Sequence, residues 1–395
     1  MTRSEAAQAN TIRPGTVWTL LRLVTGHVCL HASMAGMRMA APLWALKQGY
    51  GALEVGFLLA LFSLTQVFLA LPSGRYADRH GLRRPVSRAI AASMSGAALA
   101  AVFPSFWTLS VAALCMGGAT GAAAIALQRH VGRAAHDASE LRRVFSWLSI
   151  GPAISNFIGP VSVGLLIDHG GFTVAFAFTA LVPGLAWLCV RHAVELPPVV
   201  QAKGASQSAW PLLREPGMRR LLLVNWLLSS CWDVHTFVVP LLGHERGFSA
   251  SVIGTILGGF AIAAASVRVL MPLLSAYLKE WVVVTGAMVI TALLFALYPF
   301  MVSAWAMGLC SVLLGIALGT VQPMIMSTLH QITPHAQHGQ AIALRFMSIN
   351  LSSVLMPMLF GTAGVVVGVS VVFWTVGALV GLGSAAAWRM RPELP

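Results

Sequence analysis

Asp233 stands in the middle of a long apolar stretch, next to Trp232 and two positions before His235, and it is the only carboxylate set deep within such a stretch. Placing a charge at that depth of a membrane costs roughly 2.5–3.5 kcal/mol on insertion scales, so ionisable groups there mark function by default. A carboxylate so placed can carry a proton through a cycle, or it can serve a structural ion pair or an interhelical hydrogen bond. Arg38 is the corresponding deep cation, whereas Arg22 and Arg268 lie nearer the ends of their stretches and are expected to extend their charged heads to the interface. His27 and His31 are spaced i, i+4 and share one helix face, a geometry open to a metal ion, a proton relay or interhelical hydrogen bonds. No HExxH and no second dense ligand cluster accompany them, so hydrogen bonding is the reading adopted, and neither a metal nor a cofactor is expected. Trp44, Trp226, Trp232, Phe237, Met34 and Met37 together suit an amphipathic organic substrate, although each alone is equally a packing or anchoring residue. Gln66, Asn156, Asn225 and Asn350 can supply neutral hydrogen bonds to a substrate or between helices, and the link between helices is the reading adopted for each.

The elements that must position these groups follow from composition. Of 395 residues, 57% are hydrophobic and 9% charged, against about 25% charged in soluble proteins. That excludes a soluble enzyme. Apolar spans of about bilayer length recur throughout: 17 to 45, 53 to 73, 86 to 103, 107 to 128, 144 to 167, 172 to 190, 219 to 242, 250 to 272, 281 to 300, 303 to 327, 341 to 363 and 364 to 388. The spans are too continuously apolar and the connectors too short for a barrel, so the fold class is all-α, with twelve transmembrane helices. A net charge of +13 would suggest nucleic acid in a soluble chain, but here the basic residues sit in short connectors, where anionic lipid headgroups are the counter-charge. Cys29, Cys115, Cys189, Cys231 and Cys310 each fall inside an apolar span and read as small hydrophobes.

Nineteen of the 25 Lys and Arg lie on the side of the two termini, and only Lys47 and Arg246 lie on the other. The positive-inside rule therefore places both termini in the cytoplasm and the protein in the cell inner membrane. The long polar connector, with Pro197, Pro198, Lys203, Gly204 and Pro216, divides the chain into two six-helix bundles, 1–190 and 219–395, joined by a linker, 191–218. The bundles repeat at an offset of 198: Pro42, Leu43, Gly49, Ala52 and Gly56 fall on Pro240, Leu241, Gly247, Ala250 and Gly254, and Gly117 and Gly121 fall on Gly315 and Gly319. The same offset sets Asp233 opposite Ala35, three residues from Arg38. At 1.5 Å per residue the axial difference is about 4.5 Å, so Arg38 and Asp233 are expected to face one another across the bundles.

The connector between the second and third spans reads Gly74-Arg75-Tyr76-Ala77-Asp78-Arg79-His80-Gly81-Leu82-Arg83-Arg84. The two glycines suit a tight turn and close helix approach, and Asp78 can accept hydrogen bonds or face a helix N-terminus. With the twelve spans and the central linker, this connector resembles the G-x-x-x-D-R-x-G-R-R loop of the major facilitator superfamily, Leu82 standing in for the first closing arginine. The resemblance implies that Asp78 locks the cytoplasmic side shut in one state, near the start of the eleventh helix and Arg345, and that helices 1, 4, 7 and 10 line the cavity. The equivalent second-half positions, Pro272, Ala276 and Lys279, lack the carboxylate. The fifth span, with Gly151-Pro152 and Gly159-Pro160 followed by Gly164, is similar to the G-P-x-x-G-G signature of antiporters in that family, Val163 replacing one glycine. Pro and Gly there make a bendable helix that packs closely. The residues before Gly117 lack the helix-4 arginine of many proton-coupled exporters.

These readings converge on proton-coupled efflux of small amphipathic organic compounds by alternating access, from a chain that works as a monomer on a small-molecule substrate, with protons and lipid as its other partners. The gating set is Gly74, Asp78, Arg79, Gly81, Arg83 and Arg345. The coupling or substrate set is Asp233, Arg38, His27, His31, His235 and Trp232, and the helix-5 set is Gly151, Gly159, Pro160 and Gly164. An organic anion or metal chelate, drawn by Arg38 with His27, His31 and His235, is the alternative substrate class. A membrane metalloenzyme built on the paired histidines and Asp233 is the alternative of another kind. No Walker-type phosphate loop is present.

Overall fold

The structure, a computed structural model, describes residues 14–134, 138–193, 195, 210–274, 279–333 and 338–389. Among them the chain is helical almost throughout. The first six helices are α1 Pro14–Lys47, α2 Ala52–His80, α3 Arg83–Val102, α4 Phe106–Ala134 and the segment Ala138–Val190, whose arms are α5 (138–170) and α6 (172–190). The last six are α7 Pro216–Glu245, α8 Ala250–Leu274, α9 Glu280–Leu297, α10 Ala304–Ile332, α11 His338–Val367 and α12 Val369–Trp388. A 3₁₀ turn, Trp210–Arg214, leads into α7, and another, Tyr298–Phe300, follows α9. Ten segments are long and apolar enough to cross a membrane, one of them the 40-residue stretch 151–190 that holds both α5 and α6. α1 is not one of the ten, because Arg22, His27, His31 and Arg38 lower its hydropathy.

Glycine sets four of the turns on the side away from the termini, here called the far side. Gly49, Gly171, Gly247 and Gly368 all have φ between 70° and 87°, which side chains disfavour. They pair as Gly49 with Gly247, at the 198-residue offset, and Gly171 with Gly368, one residue short of it, so the repeat seen in the sequence extends to backbone conformation. Within the first six helices α1 packs on α5–α6 and α4 on α2 and α3; within the last six α8 packs on α10 and α9 on α12. The two sets meet chiefly through α2 against α11 and α5 against α8. A large buried core runs through both sets, and a smaller one beneath the α2–α3 turn gathers Ala77, Leu82, Val86, Ile90 and Ala193.

Candidate functional site

Between the two sets lies a cavity of about 270 Å³. Its wall takes Arg38 from α1 and Asn156 from α5, and everything else from the second half: Asn225, Ser229, Trp232 and Asp233 on α7, Arg268 on α8, Gln322 on α10, and Arg345 and Ser353 on α11, with apolar patches between. Among the described residues α4 contributes nothing to that wall, and α5, α8 and α11 do, beside the expected α1, α7 and α10.

The pairing expected from the repeat is present. Arg38 Nη2 lies 3.6 Å from Asp233 Oδ1, bridging α1 and α7, with the carboxylate side chain 6% exposed. Two adjacent serines of α11 complete the carboxylate's shell: Ser352 Oγ donates to Oδ2 at 3.0 Å, and Ser353 Oγ donates to both oxygens at 3.0 and 3.1 Å. Sequence reasoning missed these serines; a Ser-Ser pair inside an apolar span was the available signal. Towards the terminal side, Arg345 Nε donates to Asn225 Oδ1 at 3.1 Å, and both residues are buried. Arg268 does not reach for the interface as expected. It lies half-buried on the cavity wall, its guanidinium 5.3 Å from the Trp232 ring centre, because the aromatic face holds it inward.

The histidines are not brought to this cavity. His235, on α7, is fully buried against α8 and α10, its Nε2 paired with Ser311 Oγ at 3.0 Å and its ring stacked on Phe260, while Tyr298 shares the same serine at 2.7 Å. His27 and His31, with ring centres 5.8 Å apart, lie within the first half, His27 facing Gly151 of α5. Their positive contribution to the cavity is therefore corrected: the charge comes from Arg268 and Arg345 instead. No group of three metal-ligand residues occurs among the described residues. Of the six residues offered for an amphipathic substrate, Trp232 reaches the cavity; Met34, Met37, Trp44 and Phe237 are core residues.

In the α2–α3 connector, Gly81 makes the turn at φ 74°. Gly74 does not: it sits inside α2 with Ile125 of α4 as its neighbour. Asp78 and Arg79 fall in the last turn of α2, and the Asp78 side chain lies outside the described residues, as does Ala276 in the second half. Arg79 is exposed. Leu82 is fully buried in the smaller core, which accounts for an apolar side chain where the resemblance expects arginine. Glu195, at the start of the linker, accepts hydrogen bonds from Leu82 N at 2.8 Å and Arg83 N at 2.7 Å, and Arg83 Nε donates to Ala193 O at 2.6 Å. The linker carboxylate thus caps α3, a contact across more than a hundred residues that no local pattern announces.

The helix-5 residues divide between two contacts: Gly151 and Gly159 pack on α1 within the first half, whereas Pro160 and Gly164 meet α8 at the far-side closure. Gly159 packs against Ala32 and Gly36 of α1 so tightly that a Cβ would strike the Ala32 carbonyl. The Pro160 carbonyl occupies the space a Cβ on Gly254 of α8 would need, and a Cβ on Gly164 would fall 2.5 Å from the Ala250 carbonyl. The α2–α11 crossing repeats the device: Gly56 meets the Pro357 carbonyl, and a Cβ on Gly361 would fall 2.8 Å from the Ala52 carbonyl. Asp168, unnoticed in the sequence, reaches from the end of α5 to the α8 N-terminus, accepting from Ala250 N at 3.0 Å and Ser251 N at 2.8 Å.

Two pseudo-equivalent sets of six helices, closed on one face around a charged cavity, define a membrane transporter with its site between its halves. Comparison with known proteins narrows the class. Residues 23–277 and 221–395 match the Major Facilitator Superfamily, and this chain belongs to that family, as a multi-pass secondary transporter of small molecules and not an enzyme. It is 28% identical over 330 residues to the class D tetracycline resistance protein of Salmonella ordonez, spanning 77% of this chain and 78% of that one. The multidrug resistance protein MdtG of Dickeya zeae is 23% identical over 360 residues, 86% of each. The efflux pump azaK of Aspergillus niger is 27% identical over 230 residues, a match that spans 53% of this chain and about half, 48%, of that protein. Among solved structures, a POT family transporter in complex with 5-aminolevulinic acid superposes with a TM-score of 0.80 over 95% of this chain and 96% of that one. A bacterial homologue of the human lysosomal transporter Spinster, inward-facing and unoccupied, gives 0.78 over 97% and 98%. Both are 12% identical, so the likeness is one of fold.

Proposed function

We propose that this protein exports small amphipathic organic compounds across a bacterial cytoplasmic membrane in exchange for protons. In this reading residues 1–190 and 219–395 rock as two bodies about the 191–218 linker, as a monomer with both termini cytoplasmic. The observation that carries it is the Arg38–Asp233 pair, a carboxylate on the cavity wall that reaches across the halves. While Asp233 is charged it attracts Arg38 and favours the state shut on the far side. A proton on Asp233 weakens that attraction and lets the halves part. Direction is supported by the relatives named for tetracycline and multidrug resistance, and orientation by the excess of Lys and Arg on the terminal side.

The gating set belongs to the same proposal: Asp78 and Arg79 end α2 on the terminal side, where a carboxylate can hold that side closed when the far side opens. In proteoliposomes under an imposed pH gradient, with tetracycline and a panel of amphipathic dyes as probes, the wild type should transport and Asp233→Asn should not, although the mutant still binds. Proton-driven transport undiminished in Asp233→Asn would remove Asp233 from the coupling and with it the reading.

A further inference from the structure

The cavity carries more positive charge than it has partners for. Three arginines line it, Arg38, Arg268 and Arg345, against one carboxylate, Asp233. Asp233 is already engaged by Arg38, Ser352 and Ser353. Among the described residues neither Arg268 nor Arg345 has an acidic group within ion-pairing distance. Arg345 is 3% exposed and Asn225 2% exposed, so their groups are withdrawn from water. Three buried polar atoms on this wall, Arg38 Nε, Arg268 Nε and Asn225 Nδ2, have no hydrogen-bond partner among the described residues. Asn225 has already turned its carbonyl to Arg345, which leaves its amide as a donor. Unpaired buried cations are costly unless something supplies the opposite charge, and the unpartnered buried atoms on this wall are all donors.

We propose that this wall binds an amphipathic organic anion, its carboxylate seated between Arg345 and Arg268 with the Asn225 amide as third donor, and its apolar body against Trp232, Leu228 and Val321. Guanidinium forks match carboxylate oxygens two at a time, which an ammonium cannot do. The inference rests on the transport reading above and names the substrate class of that same site. It also separates two tasks within one cavity: Asp233 with Arg38 holds the far-side pair, while Arg268 with Arg345 holds the cargo. Export of an anion in exchange for a proton moves charge in the same sense twice, so the membrane potential should drive it together with the pH gradient.

The test uses the full chain, purified and reconstituted, with three probes of one shape: 2-naphthoate, 2-naphthamide and 2-naphthylmethylamine. By calorimetry the naphthoate should bind at least about tenfold tighter than either analogue, the scale of one charge-assisted contact. Arg345→Met and Arg268→Met should each weaken naphthoate about tenfold and leave the amide within about twofold, with Arg345→Lys in between. Monodisperse elution and thermal unfolding identify any variant that fails to fold, in which case Asn225→Ala, which keeps both charges, gives the same comparison. Naphthoate that does not bind, or binds no tighter than the amide or the amine, overturns the proposal, as does an equal loss for amide and naphthoate in the arginine variants. Efflux separates the two readings. A charge-selective site without proton-driven naphthoate export would leave the anion site standing and remove the exporter, whereas proton-driven export of the amine alone would do the reverse.

Discussion

The closure on the far side and the cavity beside it are built on opposite plans. At the closure the two crossings use one device at repeat-related positions: Gly56 and Gly361 in α2–α11, Gly254 and Gly164 in α5–α8, each so close to a carbonyl of the other half that a side chain has no room. In the cavity the first half supplies Arg38 and Asn156, while the second supplies Asn225, Asp233, Arg268, Gln322 and Arg345. Duplication is retained where two halves must meet backbone to backbone, because both crossings must close together. It is lost where chemistry is done, since a substrate has no twofold symmetry to match. Even the closure departs in one respect. The α2 N-terminus is capped by its own Glu54, which accepts from Gly51 N at 3.0 Å, whereas α8 takes Asp168 from the opposite half.

The sharpest way to break this comparison is to fill a crossing. Gly254→Leu should abolish transport while the protein still inserts, and spin labels across α5 and α8 should show the closed state lost. Gly286→Leu, at a position with nothing within 4 Å, should transport normally, and an equal loss there would mean general damage and not a blocked closure. Next in size is the pair that links closure to cavity. Arg38→Met or Asp233→Asn alone leaves one buried charge, a loss of about 3–5 kcal/mol, and the double change should restore part of it. Thermal unfolding of the four proteins reads the coupling, and additivity within about 0.3–0.5 kcal/mol would dissolve the pair. The smallest effect is expected at Asp168, which is exposed. Asp168→Ala removes a cap worth about 0.5–2 kcal/mol, and only in the closed state, so accessibility of the cavity from the far side should rise severalfold. Glu54→Ala, a cap within one half, should not change it, and an identical response from both would erase the distinction between the crossings.

Much of the fold was legible before any coordinates. Hydropathy is local, so Gly49, Gly171 and Gly247 fall where the apolar spans break, whereas the turn at Gly368 lies inside the span read as 364 to 388; the 198-residue offset carried Asp233 to the level of Arg38 well enough to predict their ion pair. The site was less legible. His235 shares a span with Asp233, yet it faces Phe260 and Ser311 because the two residues are separated by nearly half a turn of α7. Arg268 looked like an interfacial residue because its distance from the helix end was known and its direction was not.

The amino-acid sequence by itself determined twelve spans, a duplicated plan, a charge bias across the membrane and one deep ion pair, since each depends on composition or on spacing along a helix. The tertiary structure alone decided which face is shut, that Arg268 and Arg345 share a wall with Asn225, and that Glu195 and Asp168 cap helices far from them in the chain. In water, an apolar stripe tells which face of a helix is buried. In a bilayer lipid and core are equally apolar, so the stripe carries no such information, and the direction of a polar side chain is fixed only when helices pack on glycine, serine and carbonyl contacts drawn from distant spans.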